Sequence, residues 1–301
     1  MLEVKQITKS FGDNTAVNNI SFNVKPGRIF GLLGRNGAGK STIFRIILNI
    51  INQDSGEVLY DSQKITNDLT DKIGYLPEEG SLILTYTVLE QLLYYGALKG
   101  MSQKSIKEQA FYWLEKFNVL EYLNMKIKDL SKGNRQKIQF IVALLHDPKL
   151  IILDEPFSGL DPISVEEFKN IIFELKSLDK MIIFSSHRME HVEVLCDDIL
   201  ILDNGNNVLS GDLKNIKKIY KKHEVNITGK IGKYTLDLIK GLNGVIKVEK
   251  LDYFNIKVKV EGEEVIPKLF ANLKTSYITN FYTTKASLND IFIDKVGRKY
   301  E

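Results

Sequence analysis

Nine consecutive residues, Gly34-Arg35-Asn36-Gly37-Ala38-Gly39-Lys40-Ser41-Thr42, follow the pattern G-x-x-x-x-G-K-[ST], which wraps the phosphates of a nucleoside triphosphate. Glycine at three of these positions lets the backbone curl round phosphate oxygens with no Cβ in the way and aims amide N–H groups inward. Lys40 is then placed to reach the β- and γ-phosphates, Ser41 to ligate Mg²⁺, and Thr42 to donate to the inner phosphate. A second group is Leu150-Ile151-Ile152-Leu153-Asp154-Glu155-Pro156, an apolar run that ends in two carboxylates. Two acids at the carboxyl end of a buried strand are costly unless a cation or a water uses them. Asp154 fits a Mg²⁺ partner, and Glu155 fits a base that orients the attacking water. Ser186-His187-Arg188 closes another apolar run at 181–185, which makes His187 a candidate γ-phosphate contact. Phe11 precedes a turn upstream of the loop; its ring can stack on adenine or fill the core, and spacing alone does not choose.

These groups need elements to hold them. The motif requires a strand before it and a helix after it, and residues 28–33 and 43–48 supply those patterns. Residues 2–7, 16–24, 57–60, 72–76, 181–185 and 198–202 read as further strands, with turns at 12–14 and 26–27. The pattern turns helical between 87 and 119, where Trp113 and its apolar neighbours read as core. Residues 129–136 read as a polar loop, with Ser131 a reasonable N-cap, running into a helix over 137–145. The continuous apolar runs suit a parallel sheet covered on both faces.

Composition is that of an ordinary globular chain. Hydrophobic residues make up 44% and charged residues 26%, and a formal net charge of +3 gives no signal for nucleic acid. One cysteine, Cys196, excludes an internal disulfide and reads as core packing in a reducing compartment. No run approaches the roughly 18 apolar residues that span a bilayer, and the first residues lack a signal-peptide plan, so a cytoplasmic location is expected.

The order and spacing of these motifs resemble the nucleotide-binding subunit of ATP-binding cassette (ABC) transporters, over residues 1 to about 215. The resemblance implies a P-loop NTPase cassette of the α/β class, with a RecA-like sheet core and a helical subdomain at about 80–142. It makes residues 34–42 the Walker A segment, Asp154 and Glu155 the Walker B acid and the catalytic glutamate, and His187 the switch histidine. Phe11 resembles the adenine-stacking aromatic, and Val17 its apolar neighbour. Leu130-Ser131-Lys132-Gly133-Asn134 takes the place of the family signature, with Ser131 and Gly133 at the positions that meet a γ-phosphate. Ser158-Gly159-Leu160-Asp161 looks like the loop that contacts the other half of a dimer. The cofactors implied are ATP and Mg²⁺. The partners implied are a second ATPase subunit, identical or paralogous, closing head to tail on two ATP, and a separate transmembrane permease, with this chain peripheral on the inner face of the cell membrane.

Two departures stand out. Where the family usually has glutamine after the strand ending at Pro77, this chain has Glu78 and then Glu79, and the signature reads Ser-Lys-Gly-Asn in place of Ser-Gly-Gly-Gln. Both resemble the single-cassette branch that serves sodium-efflux, drug and peptide exporters. A carboxylate at Glu78 would offer a full charge to Mg²⁺, although Glu79 could equally face the site. Residues 219–301 lie beyond the cassette, after a basic stretch at 214–222 that reads as a solvated helix. Their pattern, β-α-β-β-α-β, resembles an α+β ferredoxin-like domain, for which dimerisation or regulation is the expected role. The competing function is an ABC ATPase acting on ribosomes or DNA. Such proteins usually carry two cassettes, long coiled coils or metal-binding insertions, none of which this sequence contains.

Overall fold

The computed structural model describes residues 1–70, 72–220, 223–273, 276–285 and 287–296. Their contacts separate into two units, Met1–Gly211 and Asp212–Glu301. In the first, β1 (Leu2–Phe11) and β2 (Asn14–Val24) precede β3 (Ile29–Gly34) and α1 (Lys40–Ile47). Next come β4 (Ser55–Tyr60), β5 (Gln63–Lys64), the short α2 (Asn67–Thr70) and β6 (Ile73–Leu76). A helical stretch of α3 (Val88–Leu98), α4 (Gln103–Lys116) and α5 (Lys132–Leu144) leads to β7 (Leu150–Asp154). After α6 (Pro162–Ser177) come β8 (Met181–Ser186), α7 (Met189–Leu195), β9 (Asp198–Asp203) and β10 (Asn206–Asp212).

Two sheets result. One has the order β2-β1-β4-β5, and the other has the order β10-β9-β3-β8-β7-β6. In the second, β9, β3, β8, β7 and β6 run parallel. Every residue of β3, β7 and β8 is buried, as their unbroken apolar runs require. Ile43, Phe44, Ile46 and Ile47 of α1 share one core with Val4 and Ile20 of the first sheet and Leu32, Ile152 and Ile183 of the second. The register pairs Leu153 of β7 with Phe184 and Asp154 with Ser185, so the carboxyl ends of the central strands finish together. That edge is where an open α/β sheet presents its chemistry.

The helical stretch is set by its caps. Thr87 and Glu90 form a capping box on α3, in which Glu90 N donates to Thr87 Oγ1 at 3.2 Å and Thr87 N to Glu90 Oε2 at 2.8 Å. Helix α5 starts earlier than the expected 137. Ser131 Oγ accepts from Asn134 N at 3.2 Å, so residues 132–136 form its first turn instead of a loop. The polar composition there hid a helix start whose cap was itself correctly read. Trp113 is core, as expected. Rings of Phe117, Phe140 and Phe168 meet with centroids 5.1–5.6 Å apart and tie α5 to α6.

The second unit opens with α8 (Leu213–Ile219), which covers the first part of the basic stretch; Lys221 and Lys222 lie outside the described residues. It continues as β11 (His223–Lys230), α9 (Lys233–Lys240), β12 (Val245–Lys250), β13 (Asn255–Val260), α10 (Val265–Ala271), β14 (Tyr277–Lys285) and α11 (Leu288–Val296). The sheet order β12-β13-β11-β14, antiparallel throughout, is the ferredoxin-like arrangement expected. Val225, Ile227, Ile256, Val258 and Val260 form its core with Ile239, Val265 and Leu269 from the helices.

Phe168 is fully buried at the centre of the ring cluster. Phe168→Ala is expected to destabilise the first unit by about 3–5 kcal/mol in a guanidinium titration; a cost below about 1 kcal/mol would contradict this packing role.

Candidate functional site

The loop between β3 and α1 is shaped by positions where no side chain fits. Gly39, the N-cap of α1, has φ 107°, and a Cβ there would lie 2.3 Å from the Ala16 carbonyl oxygen. Gly37 is also left-handed, at φ 81°. No side chain caps α1, so its first N–H groups remain available at the positive end of the helix. The Lys40 side chain is buried and folds back along the loop, its Nζ donating to Gly34 O at 2.8 Å and Arg35 O at 3.3 Å. Residues 35–42 line a cavity together with Ala16 and Glu78. Of the two glutamates that follow Pro77, Glu78 is the one on that cavity. Gln139 of α5 holds the turn before it, donating through Nε2 to Pro77 O at 3.1 Å.

At the end of β7 the two acids are held by hydroxyls of β8. Ser185 Oγ donates to Asp154 Oδ1 at 2.6 Å and accepts from Glu155 N at 3.0 Å. Ser186 Oγ lies 3.4 Å from Glu155 Oε2. Burial pushes the Asp154 carboxyl above its ordinary 3.8, and the neighbouring Glu78 and Glu155 add to that push, against the Ser185 hydrogen bond and Lys40. Burial, Asp154 and Glu78 likewise push the Tyr75 hydroxyl up to about 12, with Arg45 opposing. Negative charge therefore concentrates at this edge of the sheet.

Glu155 adopts φ 48°, a left-handed conformation that costs a non-glycine residue about 1–2 kcal/mol. Its buried Oε1 has His187 Nδ1 3.0 Å away, on a half-exposed ring. A strained, desolvated carboxylate with a free lone pair can accept a proton from water, and the imidazole beside it can hold an oxyanion. The structure thus brings residues 34–42, Glu78, Asp154, Glu155 and His187 to one edge. Sequence reasoning overlooked Ser185; its signal was the pair of hydroxyls ending an otherwise apolar strand.

The remaining candidates lie outside the loop cavity. Phe11 is 51% exposed, with Lys9 Nζ 5.6 Å from its ring centre, so it does not fill the core and has a face free to stack. Val17 is wholly buried, its Cγ2 3.6 Å from where a Cβ on Gly39 would stand, so it packs beneath the loop. Ser131 caps α5, and Gly133 occupies that helix's first turn. Asp161 caps α6, accepting from Ile163 N and Ser164 N at 3.0 Å and from Ser164 Oγ at 2.7 Å, bonds that hold its carboxyl below 3.8. The Lys132 side chain lies across Gly159, joining the start of α5 to the 158–161 loop.

A parallel sheet carrying this loop after β3, with paired acids at the end of β7 two strands away, defines a P-loop nucleotide-binding cassette. A family model described as ABC transporter matches residues 17–158, and one for the C-terminal domain of DrrA1-3-like ATP-binding proteins matches residues 211–296. The chain is 43% identical over 303 residues to the ABC transporter ATP-binding protein YhaQ of Bacillus subtilis, covering 100% of both. It is 32% identical to the linearmycin resistance ATP-binding protein LnrL of the same organism, covering 99% of each. A dimeric solved structure of the bacterial ABC transporter cassette MJ0796 superposes with a TM-score of 0.65 at 26% identity, covering 71% of this chain and 99% of that one. The chain belongs to the ATP-binding proteins of ABC transporters, ATPases coupled to transport, and carries a DrrA-like C-terminal domain.

Because folding raises the Asp154 carboxyl above 3.8, the folded chain holds that proton more tightly than the unfolded chain. Its ionised form therefore destabilises the nucleotide-free fold as pH rises through the raised value, and the penalty is absent at lower pH. Asp154→Asn is expected to raise the melting temperature of the nucleotide-free chain at neutral pH, with the gap closing below about pH 4. A variant that melts at or below wild type at neutral pH would contradict the burial argument.

Proposed function

We propose that this chain binds ATP with Mg²⁺ in the loop cavity, closes with a second ATPase subunit, and drives a separate transmembrane permease that exports its substrate. The observation that carries the hydrolytic part is the buried Oε1 of Glu155, which lies 3.0 Å from His187 Nδ1. The residues fit nucleotide and metal, since Gly34 and Gly39 leave no room for a Cβ in the cradle and three carboxylates converge with few cations of the protein's own. Lys40 is assigned to the β- and γ-phosphates, residues 34–39 and Thr42 to the remaining phosphate oxygens, and Phe11, backed by Val17, to adenine. Ser41, Asp154 and Glu78 are assigned to the metal, as hard oxygen donors suit it. Bound Mg²⁺ supplies charge neutralisation between the phosphates. Glu155 orients and deprotonates the attacking water, and His187 holds the γ-phosphate oxygen.

Ser131, Gly133 and Asp161 lie outside the loop cavity, which suits residues serving the nucleotide of a second subunit. The dimeric form of the MJ0796 cassette supports that pairing. A permease partner is supported by the exposed Leu84 and Met125, which the backbone bonds Val88 N to Met125 O and Lys128 N to Leu84 O bring to one part of the helical stretch. The linearmycin resistance role printed for LnrL supports export. Among the described residues no helix is long and apolar enough to cross a membrane, so the proposal needs that separate permease and places this chain against the inner membrane face.

Glu155→Gln is expected to bind ATP as wild type does, to lower single-site turnover by about 10²-fold or more, and to accumulate an ATP-bound dimer on size exclusion. Turnover within a few-fold of wild type would remove Glu155 from the role of base.

A further inference from the structure

Two amides on one face of α5 each end on a turn that carries a site carboxylate. Gln136 and Gln139 stand three residues apart, so they share one side of the helix, and both are buried. Gln136 Nε2 donates to Pro156 O at 3.2 Å, and Pro156 follows Glu155. Gln139 Nε2 donates to Pro77 O at 3.1 Å, and Glu78 follows Pro77. Leu76 of β6 stands opposite Leu153 of β7, so the two turns leave adjacent strands at the same level of the sheet. A buried amide is costly unless it is bonded, and an apolar side chain would fill either place without that cost. On a helix already buried through Ile138, Phe140 and Ile141, the two glutamines serve the turns rather than the packing. The Glu155 turn needs such support, because Glu155 holds φ 48° immediately before a proline, where the backbone prefers to be extended. A Cβ on Gly80 would lie 3.6 Å from Gln139 Oε1, so that side chain reaches across the other turn from Pro77 to Gly80. The helix itself is firmly seated. A Cβ on Gly74 of β6 would stand 2.4 Å from the Ala143 carbonyl oxygen, so α5 lies directly against that strand.

We propose that Gln136 and Gln139 are positioning residues through which α5 sets the Glu155 and Glu78 carboxylates relative to one another. Both roles rest on those proposed above for the two acids, water activation for Glu155 and metal binding for Glu78. Each glutamine bonds the backbone from which its carboxylate is presented and is assigned no contact with nucleotide or metal. A displacement of about 1 Å at such a place is enough to lower turnover by about 10²-fold. Because the two bonds end on different turns, their losses have different consequences. Loss of the Gln136 bond disturbs the attack of water, and loss of the Gln139 bond disturbs the response to Mg²⁺.

Methionine has nearly the length of glutamine and no donor, so substitution by methionine removes each bond with little change of shape. Gln136→Met is expected to lower single-turnover hydrolysis about tenfold while ATP affinity and its Mg²⁺ dependence stay within about twofold of wild type. In a Glu155→Gln background the same substitution is expected to cost less than about twofold, because the bond acts through a carboxylate that is no longer there. Gln139→Met is expected to flatten the Mg²⁺ dependence of ATP binding as Glu78→Gln does. Gln136→Leu and Gln139→Leu give a second reading of each bond and are expected to match the methionine variants. Glu155→Gln and Glu78→Gln, measured alone beside them, report on the acids' own roles, so a failure of either role is told apart from a failure of the glutamines. Both Gln136 variants turning over within about twofold of wild type, or an undiminished loss in the Glu155→Gln background, would overturn the proposal. So would a Mg²⁺ dependence altered as much by Gln136→Met as by Gln139→Met, or Gln139 variants that keep wild-type Mg²⁺ curves where Glu78→Gln flattens them.

Discussion

Carboxylates at the end of a buried strand cannot simply be solvated, and the rest of the cassette is arranged around that constraint. Asp154 and Glu155 follow four fully buried apolar residues, and Glu78 adds its charge from the end of the neighbouring strand. The protein's own compensation is modest: the Ser185 hydroxyl on Asp154, the Ser186 hydroxyl and His187 on Glu155, and the Lys40 ammonium held to the loop by backbone carbonyls. The Asp154 carboxyl is pushed upward in consequence. The Mg²⁺ proposed here, shared with phosphate, would relieve that concentration of charge.

The parallel register explains how the parts reach one another. Pairing of β7 with β8 sets Asp154 beside Ser185, and pairing of β3 with β8 brings the end of the loop strand to Ser186, one residue before His187. Groups separated by more than a hundred positions in the chain thus share an edge because three apolar strands end together. The loop itself depends on the first sheet as well. Gly39 approaches the Ala16 carbonyl too closely for any side chain, and Val17 packs beneath it.

Much of this was legible in the sequence because it rests on local rules. The loop motif, the strands β3, β7 and β8, and the acids at a strand end follow from pattern and from the cost of burying charge. The ferredoxin-like order of the second unit follows from alternation and turn placement. What could not be read depended on partners distant in sequence. The stretch 132–136 looked like a loop because its residues are polar, yet Ser131 starts a helix there that is held from below by buried Ile138 and Phe140. Phe11 offered two readings until its exposure was known, and Ser185 gained a role only through its register with Asp154. Which of Glu78 and Glu79 faces the loop depended on a turn fixed by Gln139 from another helix.

The account centres on carboxylates poised for a cation that is shared with phosphate. ATP titrations over a series of Mg²⁺ concentrations, on wild type and Glu78→Gln, address it most directly. The arrangement predicts that Mg²⁺ tightens ATP binding to wild type and that this dependence flattens in Glu78→Gln, with binding itself retained. Wild-type affinity indifferent to Mg²⁺, or identical Mg²⁺ curves for the two proteins, would contradict it.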